Sequence, residues 1–314
     1  MDGVLNVFKE KGYTSFDVCR RLRGMLREKH IGHAGTLDPE AEGVLLVAVG
    51  RATKAIDDLT DGIKTYEAVM QLGVTTDTQD MTGKILSRAK VSATKDDVLH
   101  ALHAFDGGYD QIPPMYSAIH VNGQRLYELA RKGETVERAP RHITIYDVHV
   151  NDMDVEGPSA SGRVRFTIEC SRGTYVRTFC ADVGEKLGCG AAMESLLRTR
   201  VGQYTESDAL TLSQIQQAVD AGKVQQILRP IQEIYRNLPL LAVPPSFDKC
   251  VQNGGKLSAD LLQRAQMTQT VPARESGAPD GRLRVFDSRG NFIGIYRKEN
   301  KELVPEKMFL VGLV

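Results

Sequence analysis

The chain has 314 residues, enough for one large domain or two smaller ones with ample core. Its 40 basic residues balance its 40 acidic ones, so overall charge points to no nucleic-acid partner, and any such partner has to be met by a local patch. No apolar stretch approaches the roughly 20 residues that cross a bilayer. Met1-Asp2-Gly3-Val4 does not begin a basic-then-apolar leader, and a cytoplasmic protein is expected. Cysteines at 19, 170, 180, 189 and 250 are odd in number and widely spaced, the pattern of reduced thiols. His30-x-x-His33 and His100-x-x-His103 have no cysteine or acidic cluster to complete a ligand set, so no metal site is expected.

Residues 3 to 8 read as a short strand, and Lys9 to Tyr13 as a loop. Thr14, with Asp17 three residues on, has the form of a helix N-cap. Val18, Leu22, Met25 and Leu26 then fall on one helical face. Arg20, Arg21, Arg23, Arg27 and Lys29 point elsewhere; such a run is a solvated face or a phosphate-contacting one. It leads into Gly32-His-Ala-Gly-Thr-Leu-Asp-Pro-Glu-Ala-Glu-Gly43. Pro39 disfavours helical backbone at Asp38, and the glycines permit tight turns. The apolar run Val44 to Val49 that follows reads as a buried strand. Asp38 is thus a carboxylate on a stiff loop, either presented to a substrate or capping a turn.

Residues 51 to 61 read as a short helix ended by Gly62. Lys64 to Gly73 alternates as a strand with Tyr66, Ala68, Met70 and Leu72 inward, so Tyr66 belongs at or near the buried side. Residues 74 to 83 read as a polar turn, and Thr94 with Asp97 opens a helix with Val98, Leu99, Leu102 and Phe105 inside. Gln111 to Ile119 holds two prolines and reads as an ordered loop. A short helix over 123–132 follows, within a stretch where Arg125, Arg131, Lys132, Arg138 and Arg141 interleave with Tyr127, a modest RNA-binding signal. Strands are expected around 142–150 and 163–170, with Val164, Phe166, Ile168 and Cys170 inward. Thr174 is the expected cap of a helix running to Leu187. Arg177 falls in its first turn, where the helix dipole opposes a cation. It therefore answers an anion, a protein carboxylate or a ligand phosphate. Short helices are expected near 191–198 and after Thr211, the latter with Gln214 completing its cap.

Composition shifts at Asn237 to Pro245, a linker or boundary. Beyond it, Asn253-Gly254-Gly255, Asp280-Gly281 and Arg289-Gly290-Asn291 separate short apolar runs such as Leu283 to Phe286 and Phe292 to Tyr296, which predicts a small β-rich domain. The expected organisation is a domain over 1–236, with an insertion at about 106–142, and a second domain over 240–314.

Together these segments resemble the TruB family of tRNA pseudouridine synthases. Gly32 to Pro39 with Gly43-Val-Leu and Gly50-Arg-Ala-Thr-Lys54 looks like the family's aspartate motif, and Lys64-Thr-Tyr66 like its tyrosine motif. Pro113-Pro-Met-Tyr-Ser-Ala118, with Gly123, Tyr127 and Ala130-Arg131, resembles its RNA-contacting insertion. Arg172-Gly-Thr-Tyr-Val-Arg177 resembles its arginine motif, with Leu196 at the leucine position. Two positions depart: Glu10 stands at a usual proline after Lys9, and His120 at a frequent lysine.

The resemblance implies an α+β fold with a mixed, largely antiparallel sheet and a small C-terminal PUA-like β-barrel. It implies isomerisation of uridine to pseudouridine at position 55 in the T loop of tRNA, by base flipping and without a cofactor, by a monomer that needs no protein partner. Asp38 is then the nucleophile or the base that starts elimination. Arg177 orients it, and Tyr66 stacks on the base or moves a proton. His33 holds the flipped arrangement or fixes the loop. Tyr175 and Leu196 wall the pocket, with a core role equally open to Leu196, while Lys9, Gly35, Thr36 and Leu37 complete the substrate-binding set. Two other readings are a non-catalytic RNA-binding or RNA-folding protein and a synthase acting on another RNA, such as a box-guided enzyme with partner proteins.

Overall fold

Val44 to Val49 lie in the strand β3 (Glu42–Val49), buried from Gly43 onward. The structure, a computed structural model, describes residues 1–261 apart from 118, 122 and 158, and residues 281–310. Ala118 and Asp280, named above, therefore lie outside the described residues. β1 (Gly3–Lys9) pairs antiparallel along one edge of β3. The other edge is shared: β2 (Ile31–Ala34) takes Leu46 to Val49, and the strand Ala191–Val201 takes Glu42 and Gly43. The loop from Gly35 to Ala41 leaves the sheet at this split, which places Asp38 at a gap between strands.

With β4 (Lys64–Leu72), β5 (Ile145–Asp154), β6 (Arg163–Cys170) and β7 (Ala191–Val201), the sheet runs β1-β3-β7-β4-β6-β5. Only β3 and β7 are parallel neighbours, so the sheet is mixed and largely antiparallel. Helix α1 (Ser15–Leu26) starts at the Thr14–Asp17 capping box and packs Val18, Cys19, Leu22 and Leu26 on Leu5, Val7, Leu45 and Val47. Helices α2 (Ile56–Thr60), α3 (Lys95–His103) and α4 (Leu126–Arg131) follow in the chain, and α5 (Val176–Lys186) lies with α3 over the β4–β6 end of the sheet. Tyr66, Ala68, Met70 and Leu72 face this core, as do Val164, Phe166, Ile168 and Cys170. All five cysteines are free. No described helix is long and apolar enough to cross a membrane.

Four local expectations change. Residues 191–201 form β7, not a helix: Ala, Met, Glu and Leu favour helix alone, but pairing along both edges of the segment outweighs propensity. Val74–Thr76 is a strand on Ile85–Arg88 rather than part of a turn. Helix α5 is entered through Tyr175, with no side-chain cap, because the Thr174 hydroxyl donates back to the Ser171 carbonyl (3.0 Å). In α3, Ala101 is buried and Leu99 only half-buried.

The C-terminal strands, Leu240–Ala242, Leu257–Ser258, Arg282–Phe286, Phe292–Glu299 and Glu302–Met308, form a second sheet, curled like a PUA half-barrel. It packs Ile295 and Phe309 with Tyr235 against Val44, Leu46 and Ala52. Asp58 of α2 accepts from Tyr235 (2.7 Å), Arg282 (2.8 Å) and Lys307 across the same contact.

At Gly43 two strands of the main sheet approach too closely for a side chain. The glycine's φ is +103°, and a Cβ there would lie 2.2 Å from the Arg198 carbonyl oxygen. Gly43→Ala therefore has to part β3 from β7, and we expect a loss of about 3 kcal/mol or more in chemical denaturation; native stability would show the close approach to be dispensable.

Candidate active site

Asp38 is positioned by contacts to its neighbours' backbone. The Ser15 hydroxyl, in the first turn of α1, accepts from Leu37 N–H (2.9 Å) and donates to its carbonyl (3.2 Å). Gly12 N–H donates to the Pro39 carbonyl (2.8 Å), and Ala41 N–H to that of Asp38 (3.1 Å). Lys9 is wholly buried and gives Nζ to the carbonyls of Glu10 (3.1 Å), Tyr13 (2.8 Å) and Pro39 (3.1 Å). Burial pulls its ammonium down to about 8, against the pull of nearby Glu42 and Asp38. On the far side, Arg198 of β7 is 1% exposed and donates to the carbonyls of Val44 (2.7 Å), Gly35 (3.0 Å) and Thr36 (3.5 Å). Two buried cations thus grip the loop on either side of the carboxylate.

Arg177, in the first turn of α5 and 5% exposed, meets Asp38 at 3.2–3.3 Å. It also lies 3.7 Å from Asp80 and donates at 2.6 Å to the Tyr116 carbonyl. Asp80 arrives from the 77–83 turn, docked on β7 by Met81 N–H to Met193 O (2.8 Å) and Met193 N–H to Gln79 O (3.0 Å). Its carboxylate also accepts from the hydroxyls of Thr78 and Thr82. The unfavourable first-turn cation is therefore answered by two carboxylates of the protein.

These groups border a cleft of about 220 Å³. Gly35, Thr36, Leu37, Asp38, Tyr66, Tyr175, Arg177 and Leu196 line it, joined by Lys64 and Arg198. The structure thus brings eight of the ten expected site residues to one cleft. Lys9 and His33 are not among its lining: Lys9 serves the loop backbone, and His33 sits in β2 opposite Val47. His33 Nδ1 is buried without a hydrogen-bond partner, and burial lowers the imidazole's proton affinity.

The Asp38 side chain is 38% exposed to the cleft, yet protein on its other sides strips much of its water. Desolvation raises its carboxyl above the ordinary range, Arg177 pulls it down, and Asp80 raises it again. Tyr66, 6% exposed, is raised by burial, with the Arg198 guanidinium opposing. Lys64, held by the carbonyls of Thr60 (2.6 Å) and Gly62 (2.7 Å), is lowered to about 8 by burial and by Arg198. Gln111 fixes the entry to α5, accepting from Tyr175 N–H (2.8 Å) and donating to its carbonyl (3.1 Å). Asp80, Arg198, Lys64 and Gln111 are absent from the sequence-derived set. An acid in a polar turn and an arginine in a strand carry no local mark of this role. Among the described residues, no group of three or more His, Cys, Asp or Glu is arranged to hold a metal.

The fold is that of the pseudouridine synthases. A Cbf5-Nop10-Gar1 complex contains a chain that matches 98% of this one over 85% of its own length, at 23% identity and a TM-score of 0.71. The family is given by sequence. Residues 23–176 match the TruB family pseudouridylate synthase N-terminal domain, and 177–235 the tRNA pseudouridylate synthase B C-terminal domain. The tRNA pseudouridine synthase B of Lachnoclostridium phytofermentans is 46% identical over 99% of this chain and 100% of its own. That of Oceanobacillus iheyensis is 40% identical over 99% and 98%. The chain belongs to the TruB family.

A carboxyl raised by folding binds its proton more tightly in the folded state. It adds stability below the ordinary carboxylate value of about 4 and withdraws it as the pH climbs through the raised value. Asp38→Asn should consequently melt at or above the native temperature at neutral pH, with the gain shrinking toward about pH 4 in a pH series of thermal melts. A lower Tm at neutral pH would contradict the desolvation of Asp38.

Proposed function

We propose that the protein isomerises uridine to pseudouridine in tRNA, at position 55 of the T loop. The observation carrying this is the Asp38–Arg177 pair at the mouth of a cleft that Tyr66 also lines. The names of its TruB relatives support tRNA as substrate. At about 220 Å³ the cleft is smaller than the roughly 300–1,000 Å³ of drug-sized pockets, in keeping with one flipped base rather than a helix. The base leaves its stack at a cost of a few kcal/mol.

In the reaction the bond from uracil N1 to ribose C1′ breaks, the base turns, C5 bonds to C1′, the proton on C5 leaves and N1 takes up a proton. Electrons balance within the nucleoside, so the chemistry calls for no redox partner. Asp38 acts as an ionised carboxylate, attacking as a nucleophile or removing a proton to start elimination. Arg177 keeps it ionised and aimed. Tyr66 stacks on the base or moves a proton; Tyr175 and Leu196 close the walls. Gly35, Thr36 and Leu37 approach the ribose with their backbone, Lys9 holds the loop from behind, and His33 holds the flipped arrangement of the T loop. We assign the catalytic domain to 1–236, with RNA contacts from the 106–142 insertion, and a PUA-like domain to 240–314. The protein would work as a cytoplasmic monomer without a protein partner.

The test uses a T-stem-loop RNA tritiated at uridine C5, since C5 bonding frees tritium to water. Native protein should release it from the intact loop only, and Asp38→Ala should cost at least about 1,000-fold in kcat. Binding without release would leave an RNA-folding protein instead. Removing the Arg177 cation allows the Asp38 carboxyl to rise further. In Arg177→Gln the acid limb of kcat/KM should move up by about one pH unit or more, besides any loss in rate. An unmoved limb would remove Arg177 from the ionisation of Asp38.

A further inference from the structure

Outside the cleft, cationic and aromatic surface concentrates on the free side of α1. Its N-terminus abuts the Asp38 loop through Ser15 and Leu37. The next residue, Phe16, is 60% exposed, which water penalises. One side of its ring is met by the Arg23 guanidinium, 5.6 Å from the ring centre and tied to the Ile31 carbonyl at 2.7 Å. Arg21 sits over Tyr13 in the same way at 4.7 Å. Phe16, Arg20 and Arg23 follow at spacings of four and three along one helical face, and Arg27 stands four residues further on at its C-cap, about 16 Å along the axis from Phe16. Arg20 keeps a 69% exposed side chain although Asp17 pairs with it at 2.7 Å. Arg27 ends the helix at φ +51°, a left-handed position that glycine or asparagine fills at less cost. Glu28 turns its carboxylate to the N-terminal amine and to His30.

We propose that this face is a second RNA-contact surface, on which a strand of the substrate tRNA lies after leaving the cleft, stacking a base on Phe16 and setting phosphates against Arg20 and Arg27. The inference rests on the tRNA reading above. Guanidinium forks match phosphates, and a ring backed by an arginine offers a flat platform to any base. A single exposed phenylalanine among arginines suits a polyanion with flat bases better than an apolar protein surface.

The experiment measures anisotropy of a labelled full-length tRNA across a series of KCl concentrations, with tritium release run in parallel. Phe16→Ala should raise Kd about fivefold or more. The double variant Arg20→Gln/Arg27→Gln should flatten the plot of log Kd against log salt by about 1.5 to 2, with the loss in kcat/KM falling on KM. Arg27→Asn suits the left-handed backbone, so it should raise Tm while weakening RNA binding, which a purely structural arginine would not do. Native Kd and native salt slope in all three variants, in a protein that still releases tritium, would overturn the proposal. Tight binding with no tritium release by the native protein would instead sink the isomerase reading and leave the surface standing.

Discussion

The guanidinium of Arg177 is the point on which the site converges. A buried cation in the first turn of a helix is opposed by both desolvation and the helix dipole. It is tolerated because three otherwise separate segments bring it acceptors: Asp38 from the loop after β2, Asp80 from the 77–83 turn and the Tyr116 carbonyl from the insertion. The loop is fixed in turn by Ser15 and Lys9, the turn by Met193, and the insertion by Gln111 bonding to Tyr175. Loss of the cation would leave two carboxylates facing one another across a desolvated gap.

A second set of buried cations does a different job. Lys9, Lys64 and Arg198 spend their donors on backbone carbonyls around the cleft. A carbonyl bonded this way is fixed in direction without adding negative charge beside Asp38. Gly43 makes the arrangement possible, since any side chain there would push β7, and Arg198 with it, away from β3. The split edge of β3 is what opens the space that the Asp38 loop occupies.

Much of this was legible in the sequence because local rules and tertiary demands agree there. The Thr14–Asp17 box, the alternation from Tyr66 to Leu72 and the Gly-rich loop before an apolar run each point to the element observed. Arg177 was legible as a cation in search of an anion, though nothing local named Asp80 as one of its partners. Where the reading failed, the deciding partner lay far away. Residues 191–201 carry helix-favouring side chains and become a strand because without them one edge of β4, and the Glu42–Gly43 end of β3, would have no partner. Thr174 has the chemistry of a cap, but the Ser171 carbonyl takes its hydroxyl first. Arg198, expected in a helix, looks like any charged surface residue until the loop carbonyls it serves are seen.

The distances around Arg177 bear on how Asp38 is both ionised and available. Charge-assisted N–H to carboxylate bonds run at about 2.7–2.9 Å. Arg177 approaches Asp38 only to 3.2–3.3 Å, while its 2.6 Å bond goes to the Tyr116 carbonyl. At that range the guanidinium still supplies most of its Coulomb attraction, an energy that falls only as the inverse of distance, but much less of the directional bond. Burial works the other way, lifting the carboxyl's proton affinity and so its basicity. A carboxylate held by field rather than by tight hydrogen bonds keeps lone pairs free for the substrate. It is also poorly solvated, so little water has to be stripped from it before it reacts.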